Sequence, residues 1–535
     1  MNFPQIIQGG MGIAISNWRL ARAVARRGQI GVVSGTAIDS VHVRILQDGD
    51  KEGVLRTAYK KFPVQEIAQR FIDRWFIPGG KKADAPYRLL PVFSEKSDRV
   101  VQDATVLACF GEVELARGET HGTTIGINLL DKIRIPQLAS LYGAMLAGVD
   151  YVLMGAGIPR HVPGILDNFA EGRPASVKFD VEGGVEGECT FDPSEFLGRP
   201  APKLKRPKFL AIITSATLAT SLAKKASGKV DGFVVETAVA GGHNAPPRGP
   251  LQLTADGEPI YGKRDVPELD KIAAVGLPFW IGGGFATAEK IAEAKATGAA
   301  GVQIGTAFAC CEESGMAPSL KKKLIALAKS RTARIFTDPF ASPTGFPFKV
   351  AQVEGTLSEK GVYEARRRIC DMGYLRLAYK RPDGSTGFRC ASEPVESYTR
   401  KGGKPENAEK RMCLCNGLMA AAGFGQIRKR AAASVGKHVE NVVDCVNHVV
   451  ENLENAVEDL GEAVENIETA AESMVSTVGD SLADIARFLK NGADSYSACD
   501  VLQELLGPVV ETASEVVLEV ADAISSSTDV VRVDA

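Results

Sequence analysis

Short apolar runs recur along the first part of this chain, and most end in glycine or another small residue. Eight stand out, at Gln5–Gly12, Ile30–Gly35, Thr124–Leu129, Tyr151–Gly157, Phe209–Thr214, Gly232–Glu236, Leu277–Gly284 and Gly301–Thr306. They are apolar throughout rather than alternating, which is how strands buried on both faces read. Between most of them the pattern changes to a helical period, over Trp18–Arg27, Pro136–Ala147, His161–Phe169, Leu218–Ala226, Asp265–Val275 and Thr287–Thr297. Strand, helix, strand within about 35 residues is the βαβ unit.

Residues 44–120 interrupt the alternation. Helical patterns are expected near 53–62 and 65–75, a Pro-Gly-Gly turn at 78–80, and a strand over Val106–Phe110. The stretch from the helix near His161–Phe169 to Lys208 shows no clear period and is expected to be irregular.

Eight strands, most followed by a helix, predict an α/β fold of the closed (β/α)8 TIM barrel class over residues 1–350, with 44–120 as an insertion. A doubly wound open sheet is the alternative arrangement. Residues 351–430 form a Pro-, Gly- and Arg-rich appendage containing cysteines.

From 431 a new pattern begins. Val439, Val446, Leu453, Leu460, Ile467, Met474 and Phe488 share one seven-residue register, broken only at Ser481. Val443, Val450, Val457, Val464, Ala471, Val478 and Ile485 share a second, four residues on. That alternation predicts a coiled coil or helical hairpin over 431–535, suited to homo-oligomerisation or to docking a basic protein partner. A flexible acidic tail is the plainer reading.

Charge sharpens this division. The net charge is −2, yet residues 431–535 carry 21 acidic and 4 basic side chains, leaving 1–430 at +15. The acidic tail argues against nucleic acid and anionic membranes. The basic part suits an anionic small-molecule ligand, although a solvated surface explains it nearly as well. No run reaches eighteen apolar residues, so no transmembrane helix is expected. Ten cysteines without a basic-then-apolar leader point to a reducing, cytoplasmic setting. Cys370, Cys390, Cys413 and Cys415 lack a Cys-x-x-Cys knuckle. Buried thiols are favoured there over a metal site or a redox disulfide.

In a barrel the strand C-termini share one face, and chemistry sits on that face. Gly10, Met11, Gly12, Asn128, Gly242, His243, Gly282, Gly283, Gly284, Gly305 and Thr306 would all meet there. The glycines after the seventh and eighth strands suit a phosphate, whose oxygens backbone N–H groups can bind. Tight turns alone would also explain them. His243 follows a buried strand, and its imidazole is expected to titrate near neutrality. A satisfied turn histidine is the bland alternative, and a surface turn is the alternative for Arg248.

Four motifs, Gln8-Gly9-Gly10-Met11-Gly12, Ala240-Gly241-Gly242-His243, Ile281-Gly282-Gly283-Gly284 and Val302-Gln303-Ile304-Gly305-Thr306-Ala307-Phe308, resemble the nitronate monooxygenase (2-nitropropane dioxygenase-like) family. These flavoproteins are FMN-dependent TIM barrels, related to FMN-dependent enoyl-acyl carrier protein reductases. The resemblance implies FMN across the barrel mouth, its phosphate on Gly282–Gly284 and Gly305-Thr306. Met11, Gly12, Asn128 and Gln303 would line its ring and ribityl chain, and His243 would be the catalytic acid/base. It implies oxidation of nitronates or nitroalkanes, with NAD(P)H-dependent reduction of an enoyl thioester as the alternative. The Asn-Ala-Pro-Pro-Arg-Gly that follows His243 departs from the family pattern and leaves the substrate open.

Overall fold

Eight parallel strands close into a ring: β1 (Ile6–Gln8), β2 (Ile30–Ser34), β3 (Thr124–Leu130), β4 (Tyr151–Gly155), β5 (Lys208–Ile213), β6 (Gly232–Glu236), β7 (Phe279–Gly282) and β8 (Gly301–Ile304). Each pairs with its sequence neighbour, and β8 pairs with β1 through Ile6↔Val302 and Gln8↔Ile304. The protein is seen here as a computed structural model that describes residues 3–427 except 97, 120 and 121. The chain divides into two compact units, 1–428 and 429–535. The heptad registers expected over 431–535 lie outside the described residues.

The uninterrupted apolar runs are explained by two cores. Ile7, Ile30, Val32, Tyr151, Leu153, Leu210, Val234 and Trp280 fill the inside of the barrel. Their neighbours in sequence, among them Val33, Val152, Phe209, Phe233, Val235, Phe279 and Ile281, face outward beneath the helices. Successive strand residues point to opposite faces, so both parities must be apolar when both faces are covered. Trp280 anchors the interior: its Nε1 donates to Pro4 O at 2.9 Å, and Phe3 meets its ring edge-on.

Three sequence expectations are corrected. Val106–Phe110 is no strand but the middle of a helix, Arg99–Arg117. That helix is buried over most of its circumference, so its apolar stretch carries no polar stripe, and periodicity could not reveal a helix. The stretch before Lys208 is not irregular. It holds an antiparallel hairpin, Ala175–Glu182 with Val185–Phe191, joined by Leu377–Lys380 and Thr386–Arg389 into a four-stranded sheet. Along Ala175–Glu182 burial alternates strictly, as on a sheet wet on one face. The helix expected over Asp265–Val275 shortens to Leu269–Ala273. Helices Val54–Tyr59 and Gln65–Trp75 and the positive φ of Gly79 and Gly80 agree with the reading of 53–80.

The segment after 350 is woven into the barrel unit. Arg376 donates to Phe93 O, Arg44 to Phe424 O, and Tyr374 to the buried Asp39 carboxylate. Further along, Arg411 Nη1 donates to Phe340 O at 2.7 Å and Ser342 O at 2.6 Å. Through that last contact the appendage holds a loop that belongs to the barrel mouth.

Candidate active site

The exit of β1 is fixed by a side-chain knot. Ser16 Oγ donates to Gly9 O at 2.9 Å and accepts from Met11 N at 2.9 Å and Gln8 Nε2 at 2.8 Å. Ser34 Oγ donates to Gly12 O at 2.6 Å. The Gly9–Gly12 backbone is thereby drawn across the mouth. A Cβ on Gly10 would lie 2.3 Å from Asn128 Cβ, so only glycine allows this approach. Met11 Sδ comes within 3.6 Å of the Cβ position of Gly305.

Strand parity decides what lines the mouth. Glu236 stands two residues beyond the inward Val234, Asn128 two beyond Gly126, and Gln303 two beyond Gly301. Gly282 is the ladder partner of both Glu236 and Gln303. A residue with a side chain at 282 would fill the gap between them. Gln303 Oε1 is buried without a hydrogen-bond partner. Glu236 has no hydrogen bond or ion pair among the described residues, and burial pushes its carboxyl up to about 7.

The β6 exit loop crosses the β7 exit at close range. Thr237 N donates to Gly282 O at 3.0 Å, and Ala240 N to Thr237 O at 3.0 Å. Gly283, at φ 102°, leaves no room for a side chain: its Cβ would fall 2.3 Å from Thr237 Oγ1 and 2.8 Å from Ala240 N. Gly284 follows at φ 81°. Thr287 caps the next helix, Ala288–Ala296, accepting from Lys290 N. On the neighbouring strand Gly305 caps the short helix Thr306–Ala309.

His243 is clamped by a segment remote in sequence. Lys349 N donates to Gly242 O at 3.0 Å and Asn244 N to Pro347 O at 2.9 Å, which sets His243 opposite Phe348. The two rings meet edge-on at 4.9 Å between centroids, and His243 Nε2 lies 2.7 Å from Ser342 Oγ. Burial, with the charge of Lys132 nearby, pushes the imidazole down to about 4. The expected near-neutral titration is therefore corrected. Desolvation disfavours the imidazolium, and the ring is neutral at ordinary pH. Arg248 is exposed, with its backbone N donating to Asp265 Oδ1 at 2.9 Å. It lines a crevice with Glu236, Asn244 and Tyr261.

The eight cysteines that lie among the described residues are all free, and the Cys370 and Cys390 thiols are hydrogen-bonded to each other. Among the described residues no group of three or more His, Cys, Asp or Glu could hold a metal. No helix there is long and apolar enough to cross a membrane.

The structure thus gathers Gly10, Met11, Asn128, Gly282, Gly283, Gln303 and Gly305 at the mouth, with Gly10 against Asn128 and Met11 towards Gly305. It sets His243 against 342–348 instead of against another barrel strand. Sequence reasoning passed over Glu236, Lys132 and Ser342. A carboxylate in the last position of a barrel strand was the available signal for Glu236. Nothing local marks the other two.

Comparison with known proteins reaches part of this chain in sequence. The nitronate monooxygenase family model matches residues 198–342, from before β5 to the Ser342 that holds His243. A probable nitronate monooxygenase of Staphylococcus haemolyticus is 34% identical over 141 residues, 26% of this chain, and the match spans 37% of that relative's length. Among solved structures, the nitroalkane oxidase of Streptomyces ansochromogenes aligns at 17% identity and a TM-score of 0.38, over 79% of this chain and 96% of that one. FabK from Thermotoga maritima aligns at 16% and 0.37, over 85% and 96%. In sequence, the stretch that builds the last four barrel strands and the loops they end in is similar to the nitronate monooxygenase family.

Proposed function

We propose that this chain is an FMN-dependent oxidoreductase that oxidises nitronates at the mouth of its barrel. The observation that carries the reading is the match over 198–342, because that stretch contains Glu236, His243, Gly282–Gly284 and Gln303 together. The residues also fit a flavin. Gln303 Oε1 is a buried acceptor lacking a donor, and Gly242, Gly282, Gly284 and Gly305 leave the mouth backbone open, with no heavy atom nearer than 3.6 Å to where a Cβ would stand. Leaving such an acceptor unpaired costs roughly 1–3 kcal/mol, which a ligand N–H or O–H would recover.

FMN, when bound, supplies the two-electron chemistry. Gln303, Asn128, Met11 and Gly12 would hold its ring and ribityl chain. Gly282–Gly284, Gly305 and Thr306 would hold its phosphate through backbone N–H groups. Gly10 and Gly242 leave space for approach. His243 stays neutral and fixed by Ser342, so it orients substrate through a hydrogen bond and moves a proton only weakly. A base whose conjugate acid sits near 4 has little driving force to ionise a carbon acid. The substrate is accordingly the ionised nitronate in preference to the neutral nitroalkane. Glu236, poised near 7, holds a proton at the inner edge of the same mouth.

The test is anaerobic. Purified protein should carry flavin absorbance, and propionate 3-nitronate should bleach it. Bleaching by NADPH instead, with no response to the nitronate, would move the chain to the enoyl-thioester reductases. Protein without flavin that cannot be reconstituted with FMN would end both readings.

A further inference from the structure

The loop after β3 carries a lysine whose placement bears on which substrates the mouth accepts. Lys132 Nζ donates to Thr344 O at 3.2 Å and lies 3.5 Å from the centroid of the Phe346 ring. Thr344 Oγ1 is 2.7 Å from Ser342 Oγ, and Ser342 Oγ is the hydrogen-bond partner of His243. One short segment, 342–348, therefore grips Lys132 on one side and His243 on the other. The two side chains sense each other, since the lysine charge helps keep the imidazole unprotonated.

The surroundings leave this ammonium available to a ligand. Of its three N–H groups one is used on Thr344 O, and the Phe346 face attracts its charge without consuming a donor. The charged or titratable groups that face it are Asp131, Asp180 and His243. Asp131 is already engaged: its Oδ2 accepts from Ile158 N at 3.1 Å and Arg134 Nη2 at 3.3 Å, and His161 lies 3.7 Å from Oδ1. No salt bridge to Lys132 forms among the described residues. The residue as a whole keeps solvent access while its ammonium is partly desolvated.

We propose that Lys132 is the specificity residue of the site: its ammonium binds the negatively charged head of the substrate beside the neutral His243, and so selects anionic over neutral molecules of the same shape. The inference rests on the nitronate reading for the identity of the substrate, but the charge selection can be measured without turnover. Partial burial lowers the ammonium to about 8, so its charge is full below that pH and is lost above it.

The experiment uses the full chain loaded with FMN and nitrite as probe, a three-atom anion with the shape of a nitro head. Binding is followed by the change in flavin absorbance. Nitrite affinity should fall about tenfold per pH unit above pH 8 in the wild type. Lys132→Met should bind nitrite ~10–100-fold more weakly, the size of one charged hydrogen bond, with no pH dependence over that range. Lys132→Arg should recover most of the affinity and carry the pH dependence beyond pH 9. In turnover, Lys132→Met should raise KM for propionate 3-nitronate by a similar factor, and it should leave unchanged the binding of neutral nitroethane read by flavin absorbance. Equal nitrite binding by wild type and Lys132→Met at pH 7 overturns the proposal. So does an equal loss for nitronate and nitroethane, which would mean that Lys132 merely ties down the 342–348 loop. Lysine-dependent nitrite binding in a protein that does not oxidise nitronates would keep this inference and remove the activity it was built upon.

Discussion

Replacing Gly283 by alanine tests the crossing that brings the β6 exit over the β7 exit. Two costs can be separated. The first is backbone strain, because alanine at φ 102° loses roughly 1–3 kcal/mol. The second is collision, because the new Cβ would lie 2.3 Å from Thr237 Oγ1 and 2.8 Å from Ala240 N. The threonine hydroxyl can rotate away, but the Ala240 backbone cannot move without shifting the loop to His243. Overpacking of this kind adds about 1–3 kcal/mol. Gly284 supplies the control. Its φ is 81°, but its Cβ would meet nothing closer than Val239 Cγ2 at 3.6 Å. Gly284→Ala should therefore cost roughly 1–3 kcal/mol and Gly283→Ala roughly 2–6. All three tryptophans, Trp18, Trp75 and Trp280, lie in the barrel unit, so urea unfolding followed by tryptophan fluorescence reports that unit alone. Gly283→Ala should also weaken FMN retention more than Gly284→Ala does. Equal destabilisation by the two variants, with equal flavin content, would refute the steric argument.

Other outcomes follow from the same structure. His243→Ala should lower turnover ~10–100-fold, the size of one lost hydrogen bond to a charged substrate, while FMN stays bound, measured by nitronate oxidation and flavin content; undiminished activity would take His243 out of the mechanism. Because burial holds that imidazole near 4, the wild-type rate profile should show no step from it between pH 5.5 and 7.5. Glu236→Gln should be more stable than the wild type at pH 8 and lose that advantage at pH 5. A carboxyl raised to about 7 binds more protons folded than unfolded, so the wild type loses stability as pH rises from its ordinary value of 4.5 towards 7. Unfolding at the two pH values checks the sign. Trp280→Ala should cost about 3–5 kcal/mol, by emptying the barrel interior and removing the bond to Pro4 O, read as a lower urea midpoint.

The eight barrel strands were legible from sequence because each is covered on both faces, and that demands apolar residues at every position. The glycine exits were legible for a related reason. Where backbone passes close to Asn128 or Ala240, no other residue fits, and the chain must declare it locally. The candidate site was half visible on these grounds: Gly10, Asn128 and Gly282–Gly284 follow from strand ends, and Gln303 from the resemblance of its motif.

What only the tertiary structure decided was set by contacts between distant residues. Arg99–Arg117 looked like a strand at its centre because packing on nearly all sides erased its helical stripe. The imidazole of His243 appeared ready to titrate near neutrality, yet residues about a hundred positions away bury it and hold it at Ser342. Lys132 carries no local mark, and Glu236 only that of a carboxylate ending a barrel strand. One matters because the 342–348 loop folds back over it, the other because a glycine on the next strand leaves it unpaired. Secondary structure answers to neighbours in sequence, whereas ionisation and ligand selection answer to neighbours in space.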